Sequence, residues 1–257
     1  MIQYTTKLQA GLGMLGETRN LLDLWSENMS TEQLNQAALE SGEFPDITAR
    51  RLRNVVKECF APRYLVCDAL PARILKPVIQ HLPESALKQI CLVYTARANE
   101  IVRDFILEVY WPMYASGRAT VGKSHARLFV EDSVREGRTT TPWSESTITR
   151  VSTYLGGVCE DFGLLGESRS GERAIQSEHL HPIAALLIAY DLNFQGSPDM
   201  LVLESPDWSL FGLDQQTTKD VFKRLMHDRH LFLQSAGSAS SITWIYKTIG
   251  ELADAIK

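Results

Sequence analysis

The sequence predicts a mainly α-helical protein, a helical bundle with helix-turn-helix elements and a C-terminal winged-helix-like part carrying a short β-hairpin. Three observations predict it. Apolar residues recur at helical spacing from Asn20 onwards, capping residues bracket those stretches, and convincing two-residue alternation is confined to residues 230–247. With 44% apolar and 22% charged residues in 257, the chain can bury a core and hold two or three small domains. No apolar run approaches the roughly 18–20 residues that span a bilayer, and the N-terminal residues lack the pattern of a signal peptide. The expectation is a soluble, cytoplasmic protein with no membrane partner. The scattered Cys59, Cys67, Cys91 and Cys159 then read as reduced core thiols.

Element by element, Leu21, Leu22, Leu24 and Trp25 mark a first helix. Ser30 and Gln33 form a capping-box pair opening a second, which Gly42 closes. Asp46 or Thr48 caps a third through Leu52, Val55, Val56 and Phe60, ending near Pro62. Short helix, tight turn and basic second helix make the first helix-turn-helix shape. A long helix is expected from Glu84 to Tyr110, halted by Trp111-Pro112. Lys123–Arg135, packing Leu128, Phe129 and Val134, and the Ser144-capped helix ending at Gly163 make the second such shape. Residues 166–178, rich in Gly, Ser and charge, read as a linker or surface loop. Beyond it come a helix at 182–193, a helix at about 217–228, and strands His230–Ser235 and Ser241–Lys247. Leu231 and Leu233 face Ile242, Trp244 and Tyr246 in that hairpin, and a final helix covers it. The expected divisions are 1–115, 116–175 and 176–257.

The net charge of −5 argues against a protein that coats nucleic acid indiscriminately, but positive charge is segregated. Residues 43–80 hold seven Lys/Arg against four Asp/Glu, and residues 111–150 hold six against four. These stretches supply a candidate phosphate-binding surface: Arg50, Arg51, Arg53 and Lys57 on one basic helix, then Arg118, Lys123, Arg127, Thr147 and Arg150. Lys219, Lys223, Arg224 and the hairpin tip Gly237–Ser240 are a separate candidate on the C-terminal part. Nothing electrostatic prefers DNA over a protein partner there.

Signals for catalysis fail on context. Gly117-Arg-Ala-Thr-Val-Gly122-Lys123-Ser124 fits the phosphate-loop pattern, and Leu187–Asp191 resembles a strand ending in a magnesium ligand. Such a loop must follow a buried parallel strand, whereas both segments continue helical patterns. His179/His181 and His227/His230 lack partners at zinc spacing, and Glu131-Asp132 and Glu160-Asp161 read as solvated surface. The expectation is a protein that is not an enzyme and needs no cofactor or metal.

Tyr4-x-x-Lys7-Leu8-x-x-Gly11-Leu12 with Glu17-Thr18, Thr48-Ala49-x-Arg51, Asp104-Phe105, Trp143-Ser-Glu-Ser-Thr147 and Asp161-Phe-Gly-Leu-Leu165 together resemble the BrxA family, small proteins of bacteriophage-exclusion (BREX) phage-defence systems. The resemblance covers roughly residues 1–165. It implies a compact helical protein that binds double-stranded DNA through helix-turn-helix elements beside positive surface, with other BREX subunits as further partners. It also implies that Gly117–Ser124 is no phosphate loop. Two other classes stay compatible with the residues: an assembly subunit of the defence complex, and a nucleotide-binding protein.

Overall fold

The computed structural model describes residues 3–10, 12–176, 179–236 and 239–257. In chain order the helices are α1 (Leu15–Leu24), α2 (Thr31–Ser41), α3 (Ala49–Asn54), α4 (Ala61–Tyr64), α5 (Leu70–Leu75), α6 (Glu84–Ala98), α7 (Glu100–Phe105) and α8 (Trp111–Ala115). Strand β1 (Thr120–Gly122), α9 (Lys123–Arg135), α10 (Glu145–Asp161), β2 (Leu165–Arg169) and β3 (Glu172–Ile175) follow. Then come α11 (Pro182–Phe194), α12 (Asp199–Leu203), α13 (Gln215–His227), β4 (Leu231–Ala236), β5 (Ala239–Trp244) and α14 (Ile249–Ile256). The chain is mainly helical, with two small antiparallel sheets. Its residues divide into two compact units, one of 1–63 and 94–178, the other of 64–93 and 179–257.

In the first unit, local chemistry sets the helix ends. The Ser30 hydroxyl accepts from the Gln33 amide while the Gln33 side chain accepts from the Ser30 amide, and α2 ends at Gly42 with φ 75°. Thr48 caps α3 and Ser144 caps α10. The prolines do not stop their helices as expected. Residues 55–60 and 106–110 are π-helical turns, in which Ala61 N–H donates to Val56 O and Trp111 N–H to Ile106 O. Each widened turn lies just before a proline, at Pro62 and Pro112. It makes room for a ring that would otherwise press on the carbonyl four residues back. The helix thus runs on through Tyr64 and Ala115. The expected helix over 84–110 is interrupted instead at Asn99, which leaves the helical region with φ −138° and ψ 89°.

Within the stretch 166–178, residues 166–175 form strands rather than a linker, and 177 and 178 lie outside the described residues. β2 and β3 form a hairpin, and β3 also pairs with β1, giving the antiparallel order β1-β3-β2. The register sets Thr120 opposite Ala174, Gly122 opposite Glu172 and Leu165 opposite Ile175, with one extra residue bulging from β2 before Ser168. The hairpin turns on Ser170 and Gly171, both left-handed at φ 52° and 86°. Beneath it, α10 buries Ile148, Val151, Leu155, Val158 and Cys159, each larger apolar chain contributing roughly 2 kcal/mol by transfer. In α9, Phe129 and Val130 are buried, but Leu128 faces solvent at 56% exposure, against expectation.

The N-terminal segment is tied to this body by polar contacts. Tyr4 O–H donates to Asp104 Oδ2 (2.5 Å), and Arg138 Nη1 donates to the Tyr4 oxygen (3.1 Å) and to Glu108 (2.9 Å). Burial pushes the Tyr4 hydroxyl's pKa up, and the Asp104 hydrogen bond adds to it. Farther along, Arg63 donates to Leu12 O (2.8 Å), and Gly13 N–H donates to Asp161 Oδ2 (2.8 Å).

In the second unit, α11 is buried from Ala184 to Leu192, and α5, α12 and α13 pack against it. Strands β4 and β5 pair as the side-chain alternation predicts, Leu231 opposite Trp244 and Leu233 opposite Ile242. Their bounds shift by a few residues from the expected ones. Asp199 fastens β5, accepting from Ile242 N–H (2.8 Å) and Trp244 Nε1 (3.2 Å). Residues 187–191, the supposed magnesium-binding strand, lie inside helix α11. Cys59, Cys91 and Cys159 are buried thiols, but Cys67 is exposed. No helix among the described residues is long and apolar enough to cross a membrane.

Candidate nucleic-acid interface

The positive side chains singled out from the sequence fall into two sets. One is already engaged with carboxylates. Lys57 Nζ lies 2.9 Å from Glu32 of α2. Arg127 contacts Glu131 at 2.7 Å, Glu145 closely, and the Thr149 hydroxyl at 3.1 Å, strapping α9 to the first turns of α10. The Glu145 hydrogen bond is the chief cause raising the pKa of that guanidinium. In the second unit, Lys223 pairs with Asp220 at 2.7 Å.

The other set carries no internal counter-ion among the described residues. Arg50 and Arg53 project from α3, Arg118 precedes β1, Lys123 opens α9 and Arg150 projects from α10, all exposed. Arg224 is exposed and Lys219 half-buried on α13, likewise without a partner among the described residues. An exposed, unpaired cation binds a phosphate without first breaking an ion pair. Thr147 is half-buried, and its hydroxyl lies 3.1 Å from the Ser144 hydroxyl at the N-terminus of α10. Of the hairpin tip Gly237–Ser240, residues 237 and 238 lie outside the described residues.

Helix geometry relates the basic segments of the first unit. Along α10, Arg150, Tyr154, Gly157 and Asp161 share one face, since steps of 4, 7 and 11 residues return to within about 40° of the start. At its far end, about 16 Å from Arg150 along the axis, Asp161 meets the cavity that Arg51 lines. That cavity, of about 620 Å³, is also lined by Leu12, Glu17, Asp46 and Thr48. Arg150 and α3 thus lie along one face of α10, with carboxylates interleaved around Arg51. Asp161 is half-buried rather than surface, and its pKa is raised chiefly by that burial, with the Gly13 amide opposing. Thr149, Thr153, Gly156 and Glu160 make the neighbouring face of α10, where Arg127 touches Thr149 and Arg173 touches Glu160. On this side lie the hairpin and Lys123.

The segment 117–124 has no free phosphate cradle. Arg118 N–H donates to Met113 O (3.1 Å), Gly122 N–H to His125 Nδ1 (3.0 Å) and Lys123 N–H to Gly171 O (3.1 Å). The strand inside the motif pairs with β3, and the Glu172 carboxylate packs directly on Gly122. A carboxylate there opposes a phosphate.

Sequence reasoning missed Arg169, at the end of β2 in the supposed linker. It is exposed and has no partner among the described residues. The Ser170-Gly171 pair between two short polar stretches was the available signal.

The sequence profile of the BrxA family matches residues 2–190. Among solved structures, the crystal structure of an uncharacterized protein from Magnetospirillum magneticum aligns with a TM-score of 0.60 at 13% identity, over 79% of this chain and 98% of that one. That likeness is one of fold. No curated protein matches the chain.

Proposed function

The chain belongs to the BrxA family, whose place is in BREX-type phage defence, and we propose that it serves there as a non-enzymatic component that binds double-stranded DNA. The observation that carries the reading is the order helix, β1, α9, α10, β2, β3 with strands arranged β1-β3-β2. This order supports a winged-helix reading of residues 100–175, beside the winged-helix-like part with its β4–β5 hairpin at the C-terminus. In such an arrangement the second helix of the pair enters the major groove. Here that helix is α10, which turns Ser146, Thr149, Arg150 and Thr153 to solvent. Hydroxyls and a guanidinium suit phosphate oxygens and base edges alike. Arg50, Arg53, Arg118 and Lys123 add phosphate contacts, while Lys57 and Arg127 hold helices in place.

Fluorescence anisotropy with a labelled duplex, repeated at rising salt, tests this. Each phosphate neutralised adds about 0.9 to the slope of log K against log salt, so five contacts give a slope near −4.5. Arg150→Glu should weaken binding to every duplex, and the parent and Lys123→Ala alike should show no Mg-ATP binding. Affinity indifferent to salt refutes the DNA reading.

A second reading has support in the other unit. On the outer face of the β4–β5 hairpin, Phe232 is 49% and Ile245 39% exposed, and Leu201 of α12 is 58% exposed. Such apolar surface favours a protein contact over DNA. Under this reading the second unit docks another subunit of the defence system. Co-purification with those subunits, abolished by Phe232→Asp, tests it.

A further inference from the structure

We propose that the β2–β3 hairpin is a separate contact on duplex DNA, placing Arg169 and Lys123 on backbone phosphates flanking the groove that α10 enters. The inference rests on the DNA-binding reading above and adds a site to it.

The hairpin is held firmly at its base and bare at its tip. At the base, Leu165 is buried, Ile175 N–H donates to Ala119 O (2.9 Å), and Gln176 N–H donates to Leu164 O (2.9 Å). Arg173 joins it to α10 by its contact with Glu160 and a hydrogen bond to Gly166 O (3.2 Å). From Leu165, four residues of strand carry Arg169 about 13 Å outward. Glu167, Ser168, Arg169 and Ser170 are all exposed. The two left-handed residues of the turn close it as a tight two-residue hairpin connection rather than a longer loop.

The charges at the tip are available. Glu172 sits directly opposite Arg169 in the register, yet it accepts from the Thr120 hydroxyl (2.8 Å) and forms no ion pair with the arginine. Lys123 donates its backbone N–H to Gly171 O, and its Cδ lies 3.8 Å from where a side chain on Gly171 would start. Its aliphatic stem therefore runs along the turn, with an ammonium that has no partner among the described residues. Two exposed cations thus border one turn, on a projection tied to the helix that carries Arg150. Glu167 is the one nearby carboxylate on the exposed strand with no partner among the described residues. It weakens the local field, which supplies a test of opposite sign.

The full chain is titrated with a labelled duplex of about 25 base pairs over a salt series, in parallel with hydroxyl-radical footprinting. Arg169→Gln with Lys123→Gln should lower the salt slope by about 1.8, 0.9 per phosphate, and erase protection on one flank of the site. Glu167→Gln should raise affinity. Thermal unfolding should stay unchanged, because neither cation has an ion pair among the described residues to lose. If the double variant keeps the parental slope and footprint while Arg150→Gln is weakened, the hairpin contact is overturned and the α10 reading stands. If the parent binds no duplex, both fall.

Discussion

Replacing Asp161 with asparagine keeps an oxygen for the Gly13 amide and removes the charge, whereas alanine removes both. Gly13 is buried, and its N–H donates to Asp161 Oδ2 at 2.8 Å. In the alanine variant that donor has no acceptor, at a cost of about 1–3 kcal/mol, or roughly 2–10 °C in Tm for a chain of this size. Asparagine loses charge assistance to the hydrogen bond, but it also lifts the penalty of holding a half-buried carboxylate among Glu160 and Glu17. Its stability at pH 7 should lie within about 1 kcal/mol of the parent. The two proteins should also diverge with pH. Burial raises the folded pKa of Asp161 above its ordinary value of 3.8, so the folded state binds the proton more tightly than the unfolded one. The carboxylate's penalty is therefore full above the folded pKa and fades as pH falls through it towards 3.8. Stability of Asp161→Asn relative to the parent should be most favourable at pH 7 and should decline towards pH 4. Urea unfolding followed by tryptophan fluorescence at both pH values measures this. If asparagine costs as much as alanine at pH 7, the carboxylate acts through its charge near Arg51, and the hydrogen-bond argument is wrong.

Two further outcomes follow from the geometry. Cys67, Asp68 and Ala69 are consecutive left-handed residues at φ 51°, 56° and 52°; since a left-handed alanine costs roughly 1–2 kcal/mol and glycine loses some of that gain in the unfolded chain, Ala69→Gly should raise stability by about 0.5–1 kcal/mol in thermal unfolding, and a loss would sink the argument. Arg127→Ala should leave the DNA salt slope nearly unchanged, while Arg150→Ala should lower it by about 0.9; equal effects would mean that Arg127 leaves its carboxylates to bind phosphate.

What could be read from the sequence was whatever local chemistry decides. Ser30/Gln33, Thr48, Ser144, Gly42 and Gly163 mark helix ends because a side chain or a left-handed glycine satisfies the groups there. The register of β4 and β5 follows from alternation alone. The three-stranded sheet was hidden because its strands are short and polar, and because Thr120 meets Ala174 across more than fifty residues. With Leu165 and Val121 the only buried apolar side chains of these strands, no periodicity announces it. The π-turns were hidden too, since a proline shows where a helix must adjust but not how. At the candidate interface the sequence located positive charge but not its partners. That Arg127 faces Glu145 and Lys57 faces Glu32 is decided by helix packing, which leaves Arg150 with no partner among the described residues.

The residues that mark the family and the residues proposed to touch DNA are largely different sets, and the structure gives a physical reason. Tyr4 and Asp104 form a partly buried hydrogen bond with Arg138 beside it. Phe105 stacks edge-on against Phe129, with ring centroids 5.5 Å apart, Trp143 is buried, and Asp161 holds the Gly13 amide. Each joins segments distant in sequence, so each tolerates little change of shape or hydrogen bonding. A phosphate contact demands only a cation at the right height above the surface, and Arg150, Lys123 and Arg169 meet that demand with side chains that touch little else. The joints fix how α10 and the hairpin stand to one another, and in the proposed DNA-binding role that fixed relation is what would let scattered single cations act on one duplex despite a net charge of −5.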